Sequence, residues 1–511
     1  MMTAPVQGEG VLLADLLAGL ARVGTAQNLP VRSLAIDSRQ VAPGALFLAV
    51  AGTRQHGIEH AAEAEARGAA AVAWEPVDDI DEAHPALRAL DLPAVSVPQL
   101  GRFVSEIAAR FHAHPSRELF VAGVTGTDGK TSVASFIAQA LHTNDAPCGL
   151  LGTLGYGLYG RLAAGAHTTP DAVRLQQELA ALKAAGATAV AMEVSSHALA
   201  QHRADAVAFD VAVLTNLSRD HLDYHGSLDG YAAAKQRLFR MPGLRHAVLN
   251  LDDDLGRRLF EAAHLTAEPF VYGLEPRMLP DSVKQLWATG VHASTDGLRL
   301  EIDGSWGPGR VETRLLGRFN ASNLLAAASV LLVRGLPFDE VLARLGRLQT
   351  VPGRMEPFGG GDKPLVVVDY AHTPRALEQA LLALRPHAQG KLWCLFGAGG
   401  ERDRGKRPLM GEIAERLADH LVITDDNPRH EDATAIVMDI LDGMRHPDAA
   451  YIERDRSRAI ARAIGAAHAG DLVLVAGKGH EDYQLVGDRR LHFSDREQVL
   501  RCLQEGDHAA S

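Results

Sequence analysis

The stretch that most constrains this chain is Val124-Thr125-Gly126-Thr127-Asp128-Gly129-Lys130-Thr131. It follows the apolar run Leu119-Phe120-Val121-Ala122-Gly123 and opens onto a helical pattern, Ser132 to Leu141. A strand, a glycine-rich turn and a helix start together make a phosphate site. Glycines let backbone N–H groups close on oxyanions, and the helix N-terminus adds about half a positive charge. The strict Walker A pattern asks for glycine at position 124, which is Val here. What remains is the tighter Gly-Thr-x-Gly-Lys-Thr. A plain strand–helix turn is the bland alternative. The pattern favours an ATP site built from Gly126, Thr127, Asp128, Gly129, Lys130, Thr131 and Ser132, with Lys130 on the terminal phosphates and a Thr131 or Ser132 hydroxyl on Mg²⁺.

The totals narrow the surroundings. With 511 residues, 47% hydrophobic and 22% charged, the chain has the composition of a multidomain globular protein. A net charge of −12 argues against a nucleic-acid partner, because phosphate binding rests on basic surface. Three scattered cysteines, Cys148, Cys394 and Cys502, form neither a ligand spacing nor a disulfide framework. Met1 to Gly10 lacks the basic-then-apolar layout of a signal peptide, and no apolar run approaches the roughly 20 residues needed to span a bilayer. The expectation is a cytoplasmic α/β protein without membrane insertion, acting as a monomer.

Pattern divides the chain into three expected domains. Residues 1–99 alternate short apolar strands with helical runs and read as a small α/β domain. Residues 100–350 hold the P-loop unit and a mostly parallel sheet, with strands at Ala187 to Val194, Phe209 to Thr215 and Ala247 to Leu251 and an antiparallel patch at Gly297 to Leu316. Residues 351–511 repeat strand–helix units, which predicts a Rossmann-like, doubly wound sheet.

Polar clusters follow several predicted strands, where open α/β sheets place ligands. Glu193 and Ser195 sit at one tip, and a carboxylate there suits Mg²⁺ or, more blandly, a helix cap. Asn216 to Asp223, with His221, empties from the next strand. Lys235 lies on a helix and, taken alone, reads as a solvated surface residue. Asn320 could cap a helix, which leaves Asn323 unexplained. Asp369-Tyr370-Ala371-His372 ends another strand. Gly399 to Arg407, with Arg402, offers cations to an anionic substrate or is simply a charged loop. Asp425 to Arg429 and Gly477-Lys478-Gly479-His480-Glu481 each follow an apolar strand.

In this order, the motifs resemble the Mur ligases, ATP-dependent amide-forming enzymes of peptidoglycan precursor synthesis. The likeness runs from Asp37-Ser38-Arg39 and Pro43-Gly44-Ala45-Leu46-Phe47 to Gly477-Lys478-Gly479-His480-Glu481. The P-loop, the Glu193 and His221 clusters and Asp369-Tyr370-Ala371-His372 mark a superfamily that also contains folylpolyglutamate synthases. The Asp-Ser-Arg module, Thr168-Thr169-Pro170 and Gln201-His202-Arg203 resemble the branch that extends UDP-N-acetylmuramoyl-L-alanyl-D-glutamate. Asp426-Asn427-Pro428-Arg429 resembles the signature of its meso-diaminopimelate-adding members. One position departs from the family pattern: His167 stands where Asn often precedes the paired threonines.

The resemblance implies a role for each cluster. Ser38, Thr53, Arg54 and Gln55 fall where the family holds the uridine nucleotide, making 1–99 the UDP-binding domain. Thr168, Thr169, Ser195, Gln201 and Arg203 fall where it holds the muramoyl-dipeptide. Asn320, Asn323, Arg354 and Asp369 join the P-loop residues on ATP. Arg402, Asp426, Asn427, Pro428, Arg429, Gly477 and Glu481 hold diaminopimelate. It further implies Lys130, Glu193, His221 and Lys235 as catalytic residues, metal supported by Thr131, Glu193, His221 and Lys235, and a CO₂-derived carbamate on Lys235. The reaction so implied passes through an acyl phosphate. A bidentate cation such as Arg429 or Arg402 suits the extra carboxylate that separates diaminopimelate from lysine.

Overall fold

The computed structural model describes residues 10–52, 55–262 and 265–509, the side chains of the last five excepted. The chain divides into two compact units, residues 1–271 and 272–511. Thr53 and Arg54 lie outside the described residues.

The first unit begins with a four-stranded parallel sheet, in the order Ser33–Ala35, Ala45–Ala49, Ala71–Trp74 and Ala94–Ser96. Strand side chains alternate between faces, so an apolar run can feed two cores. Leu46 and Leu48 pack in one cluster with Leu13, Val104 and Ile107, while Ala45, Phe47 and Ala49 pack in another with Ile58, Ala61 and Trp74.

A second sheet in this unit runs Arg161–Ala163, Gly155–Leu158, Cys148–Gly152, Ala189–Glu193, Phe120–Thr125, Val211–Leu214 and His246–Asn250. The Phe120–Thr125 strand is central, flanked in parallel by Ala189–Glu193 and Val211–Leu214. Register pairs Glu193 with Val124 and Leu214 with Thr125. Three strands therefore deliver their carboxyl ends to one edge, each followed by a polar segment. The glycine-rich turn leads into the helix Lys130–Leu141, and the Leu228–Gln236 helix continues as a 3₁₀ turn, Arg237–Arg240.

In the second unit, Lys284–Ser294, Gly297–Gly304 and Gly309–Thr313 form an antiparallel meander, confirming the predicted patch and adding its first strand. The helix Arg318–Val333 follows. A six-stranded sheet then has the order Glu356–Gly359, Leu365–Asp369, Leu472–Ala476, Leu392–Phe396, His420–Ile423 and Ala450–Ile452. All its pairings are parallel except that of the Glu356–Gly359 edge strand. Val367, Leu392, Cys394 and Leu474 pack into one core and Val366, Leu395, Val473 and Val475 into another, so both faces are covered. Among the described residues, no helix is long and apolar enough to cross a membrane.

Candidate active site

The turn after Phe120–Thr125 is shaped by Gly126, whose φ is +150°. A Cβ there would lie 1.8 Å from Thr215 Oγ1, so only glycine fits. The turn is tied to the neighbouring strand end. Asp128 N donates to Asn216 Oδ1 at 3.0 Å, Thr215 Oγ1 donates to Asp128 O at 2.6 Å, and Ser218 N donates to Thr127 Oγ1 at 2.9 Å. Lys130 Nζ donates to Gly126 O at 3.0 Å and to Thr127 O at 2.8 Å, and burial lowers its pKa. Thr131 and Ser132 occupy the first turn of the following helix.

Glu193, at the tip of the adjacent strand, is buried. Its Oε2 accepts from Thr131 Oγ1 at 2.9 Å and its Oε1 from Thr153 N at 2.7 Å. Burial raises its pKa, opposed by the Thr153 hydrogen bond and the Lys130 charge. A carboxylate and a hydroxyl at the phosphate turn are the hard oxygen ligands Mg²⁺ prefers, with waters and phosphate completing its shell. Among the described residues, no three His, Cys, Asp or Glu converge as a metal cluster. The donor set therefore fits a cation shared with a nucleotide rather than a protein-only cage.

Lys235 overturns the reading of a solvated helical lysine, since it is 1% exposed. Its Nζ donates to Gly126 O at 2.6 Å and lies 4.3 Å from the centre of the Tyr231 ring. Burial, and then the Lys130 charge, lower its pKa to about 6. His221 sits at φ +51°, with its ring 4.9 Å from that of His197. One cavity of about 330 Å³ is lined by Lys130, His167, Thr168, Thr169, Ser195, Ser196, His197, Arg203, His221, Tyr231 and Lys235. Five separate sequence clusters thus meet in a single space.

Of the predicted muropeptide residues, Thr168, Thr169, Ser195 and Arg203 form its other wall. Thr169 Oγ1 donates to Glu193 O at 2.8 Å and accepts from Ser195 N at 3.0 Å, while Arg203 Nη1 donates to Thr169 O at 3.0 Å. Arg203 also contacts Gln201 Oε1, and Gln201 Nε2 donates to Tyr224 OH at 3.0 Å. Thr168 Oγ1 is 3.0 Å from Thr153 Oγ1, and Ser195 Oγ caps a short helix by accepting from Ala198 N. His167 lines the cavity, and its carbonyl accepts from Tyr156 OH. Ser38 is apart from this group, donating to Glu63 Oε2 at 2.7 Å, and Gln55 is exposed.

In the second unit Asn320 is not a cap. Gly317 precedes the helix, and Asn320 Nδ2 donates to Leu316 O at 2.7 Å while its Oδ1 accepts from Asn323 Nδ2 at 3.0 Å. Asp369 accepts from Met355 N and Ala371 N at 2.8 and 2.9 Å, and the Arg354 guanidinium lies 5.2 Å from the Tyr370 ring centre. Gly399 has an arginine on either side: an added Cβ would be 3.1 Å from Arg429 Nη1 and 3.6 Å from Arg402 Cγ. Arg429 holds φ +52°, and its Nη1 donates to Gly400 O at 2.7 Å. Asp426, Asn427 and Glu481 gather around Lys478, and Gly477 brings its backbone close to Asp426, 3.0 Å from Oδ2 to an added Cβ. Pro428 lies between them in sequence, its carbonyl against Gly400. Thr153, Tyr231, His197 and Lys478 were given no role by the sequence. The only signal for Tyr231, His197 and Lys478 was a place inside motifs chosen for other residues, and Thr153 had none.

The sequence matches three models of known families. Residues 30–112 match the model described as Mur ligase family, catalytic domain; residues 124–331 match the Mur ligase middle domain; residues 353–479 match the Mur ligase, glutamate ligase domain. The chain belongs to the Mur ligase family and is an ATP-dependent, amide-forming ligase. Among its relatives, the UDP-N-acetylmuramoyl-L-alanyl-D-glutamate–2,6-diaminopimelate ligase of Pseudomonas putida is 52% identical over 485 residues, covering 94% of this chain and 96% of its own. The protein of that name from Pseudomonas aeruginosa is 53% identical over 477 residues, covering 93% and 96%. A solved structure of a ligase with the same name superposes with a TM-score of 0.77 at 32% identity, covering 98% of this chain and all of that one.

Proposed function

We propose that this ligase adds meso-2,6-diaminopimelate to UDP-N-acetylmuramoyl-L-alanyl-D-glutamate in the cytoplasm, with ATP cleaved to ADP and phosphate. The observation that carries the reading is the shared cavity of Lys130, Thr168, Arg203, His221 and Lys235. It offers cations to phosphate and carboxylate at one place, beside the buried Glu193–Thr131 pair. The near-full-length identity to ligases of that name supports the choice of substrates. The three family-model matches, at 30–112, 124–331 and 353–479, support a division into three domains, which we place at 1–99, 100–350 and 351–511.

In the first step a D-glutamyl carboxylate oxygen attacks the γ-phosphorus of ATP. The bond to ADP breaks and an acyl phosphate forms. In the second, the amine of diaminopimelate attacks the acyl carbon, phosphate leaves, and the nitrogen loses a proton. Two anions must approach each other first, so charge neutralisation and alignment dominate. Lys130 and the turn's N–H groups hold the β- and γ-phosphates, and Arg203 with Thr168, Thr169, Ser195 and Gln201 orients the acceptor. We assign Ser38, Thr53, Arg54 and Gln55 to the uridine nucleotide, and Asn320, Asn323, Arg354 and Asp369 to ATP. Thr131 and Glu193 would hold one Mg²⁺, with a second near His221, and the bound metal would supply positive charge for the transferring phosphoryl group. Lys235, as a neutral amine, adds to CO₂ with loss of a proton, so that a buried amine becomes an anionic group lining the cavity.

Arg402 and Arg429 take the distal carboxylate of diaminopimelate, with Asp426, Asn427, Pro428, Gly477 and Glu481 around the rest. ADP release measured with the UDP-muropeptide and diaminopimelate, lysine or no amine tests the whole reading. ADP should appear with diaminopimelate, in step with amide product. Equal release with lysine, or release without any amine, would overturn it.

A further inference from the structure

Lys478 is completely buried, yet the reaction outlined above gives it no task. Its Nζ lies 3.2 Å from Asn427 Oδ1, 3.3 Å from Glu481 Oε2 and 3.4 Å from Asp426 Oδ1. An ammonium removed from water must recover its lost hydration from such acceptors, and this one faces three. The consequence is directional. Asn427 Oδ1 also accepts from Leu485 N at 2.9 Å, so this end of the amide must be the oxygen. Its Nδ2 then points to Glu481 Oε2, to which it donates at 3.1 Å. Glu481 Oε2 is therefore engaged twice, by Lys478 and Asn427, whereas among the described residues no protein donor bonds to Oε1. The backbone fixes the same turn, Glu481 N donating to Lys478 O at 2.9 Å.

We propose that Lys478 is a positioning residue for the incoming amino acid. It pins Asn427 and one oxygen of Glu481, leaving Oε1 as the single acceptor presented to the substrate's amine end. The inference rests on the proposed placement of Gly477 and Glu481 around the part of diaminopimelate away from its distal carboxylate. It adds the element that decides which way the carboxylate and the amide face. A lysine that served only to neutralise buried charge would stabilise the fold without favouring one substrate over another.

Steady-state kinetics of the full chain separate these roles, using Lys478→Gln, Lys478→Met, Glu481→Gln and the Lys478→Gln/Glu481→Gln pair. For Lys478→Gln, KM for diaminopimelate should rise about tenfold or more, with KM for ATP and for the UDP-muropeptide within about twofold of the parent. In the Glu481→Gln background, Lys478→Gln should add less than about twofold, because both act through one carboxylate. Lys478→Met should show the same selective rise, and if it does not fold, Lys478→Gln decides the matter. A parallel rise in all three KM values, an unchanged KM for diaminopimelate, or full additivity with Glu481→Gln would overturn the role. If the parent enzyme releases no ADP with diaminopimelate, the proposed substrate falls instead, and the same variants are then read with the amino acid it does use.

Discussion

Lys130 and Lys235 donate to one oxygen, the Gly126 carbonyl, at 3.0 and 2.6 Å. Burial lowers the pKa of both, and for Lys235 burial together with the repulsion from Lys130 brings it to about 6. A carbamate on Lys235 would keep an N–H for this carbonyl while replacing repulsion by attraction. Lys235→Ala is expected to lose about a hundredfold or more in turnover while still binding ATP. With ¹³CO₂, the parent protein should give a carbamate carbon signal by NMR that the variant lacks. Normal turnover in the variant would remove Lys235 from the chemistry.

Glu193 owes its place partly to a residue that has no side chain. A Cβ on Gly152 would sit 2.3 Å from Glu193 Oε1, so Gly152→Ala must push the carboxylate away from Thr131 and Thr153. Displacement by about an ångström should cost about a hundredfold in kcat with little change in far-UV circular dichroism. Raised Mg²⁺ should recover part of the loss, and wild-type turnover would show that Glu193 is not where the metal is held.

Arg429 pairs a fork of donors with a fixed backbone. Arg429→Lys keeps the charge but loses bidentate geometry, and it should raise KM for diaminopimelate about tenfold to a hundredfold. The KM for lysine, which lacks the distal carboxylate, should hardly move. Competition between the two amines for one pool of acyl phosphate measures this directly.

Acid sensitivity should appear at Glu431. Arg407, fully buried, donates to both its oxygens at 2.8 and 2.7 Å and holds its pKa at about 2, below the usual 4.5 of a glutamate. The folded state therefore binds this proton less readily than the unfolded one. The stabilisation is complete above about pH 4.5 and is lost as pH falls through about 2. Glu431→Gln should lower the urea midpoint at pH 7, and the gap from the parent should close across that acid window. A gap independent of pH would mean that packing, not charge, sets the effect.

Much of this arrangement could be read before any coordinates. Apolar runs ending in polar clusters gave strands at Ala189–Glu193, Val211–Leu214, Leu365–Asp369 and Leu472–Ala476, each within a residue or two of expectation. Parallel strands are buried on both faces, so such runs stand out from their surroundings. Charged residues hid what they do. Lys235, Lys478, Arg407 and Arg456 are all 2% exposed or less, yet a lone cation in sequence reads as surface. Arg456 is matched by Asp495, 39 residues away, at 2.7 Å, and Lys478 by Asp426, 52 residues before it. Partners at such distances come together only through the fold. The Tyr483–Val486 and Arg489–His492 hairpin escaped for another reason, since its strands carry too few apolar residues to alternate.

The one-to-one pairing of Glu193 with Val124 also limits how this gene can drift. Strand side chains alternate faces, so deleting or inserting a single codon within Ala189–Glu193 would turn Glu193 away from the phosphate turn and present Met192 or Val194 in its stead. Length changes can accumulate only in the segments between such strands, while the strands themselves must be inherited residue for residue.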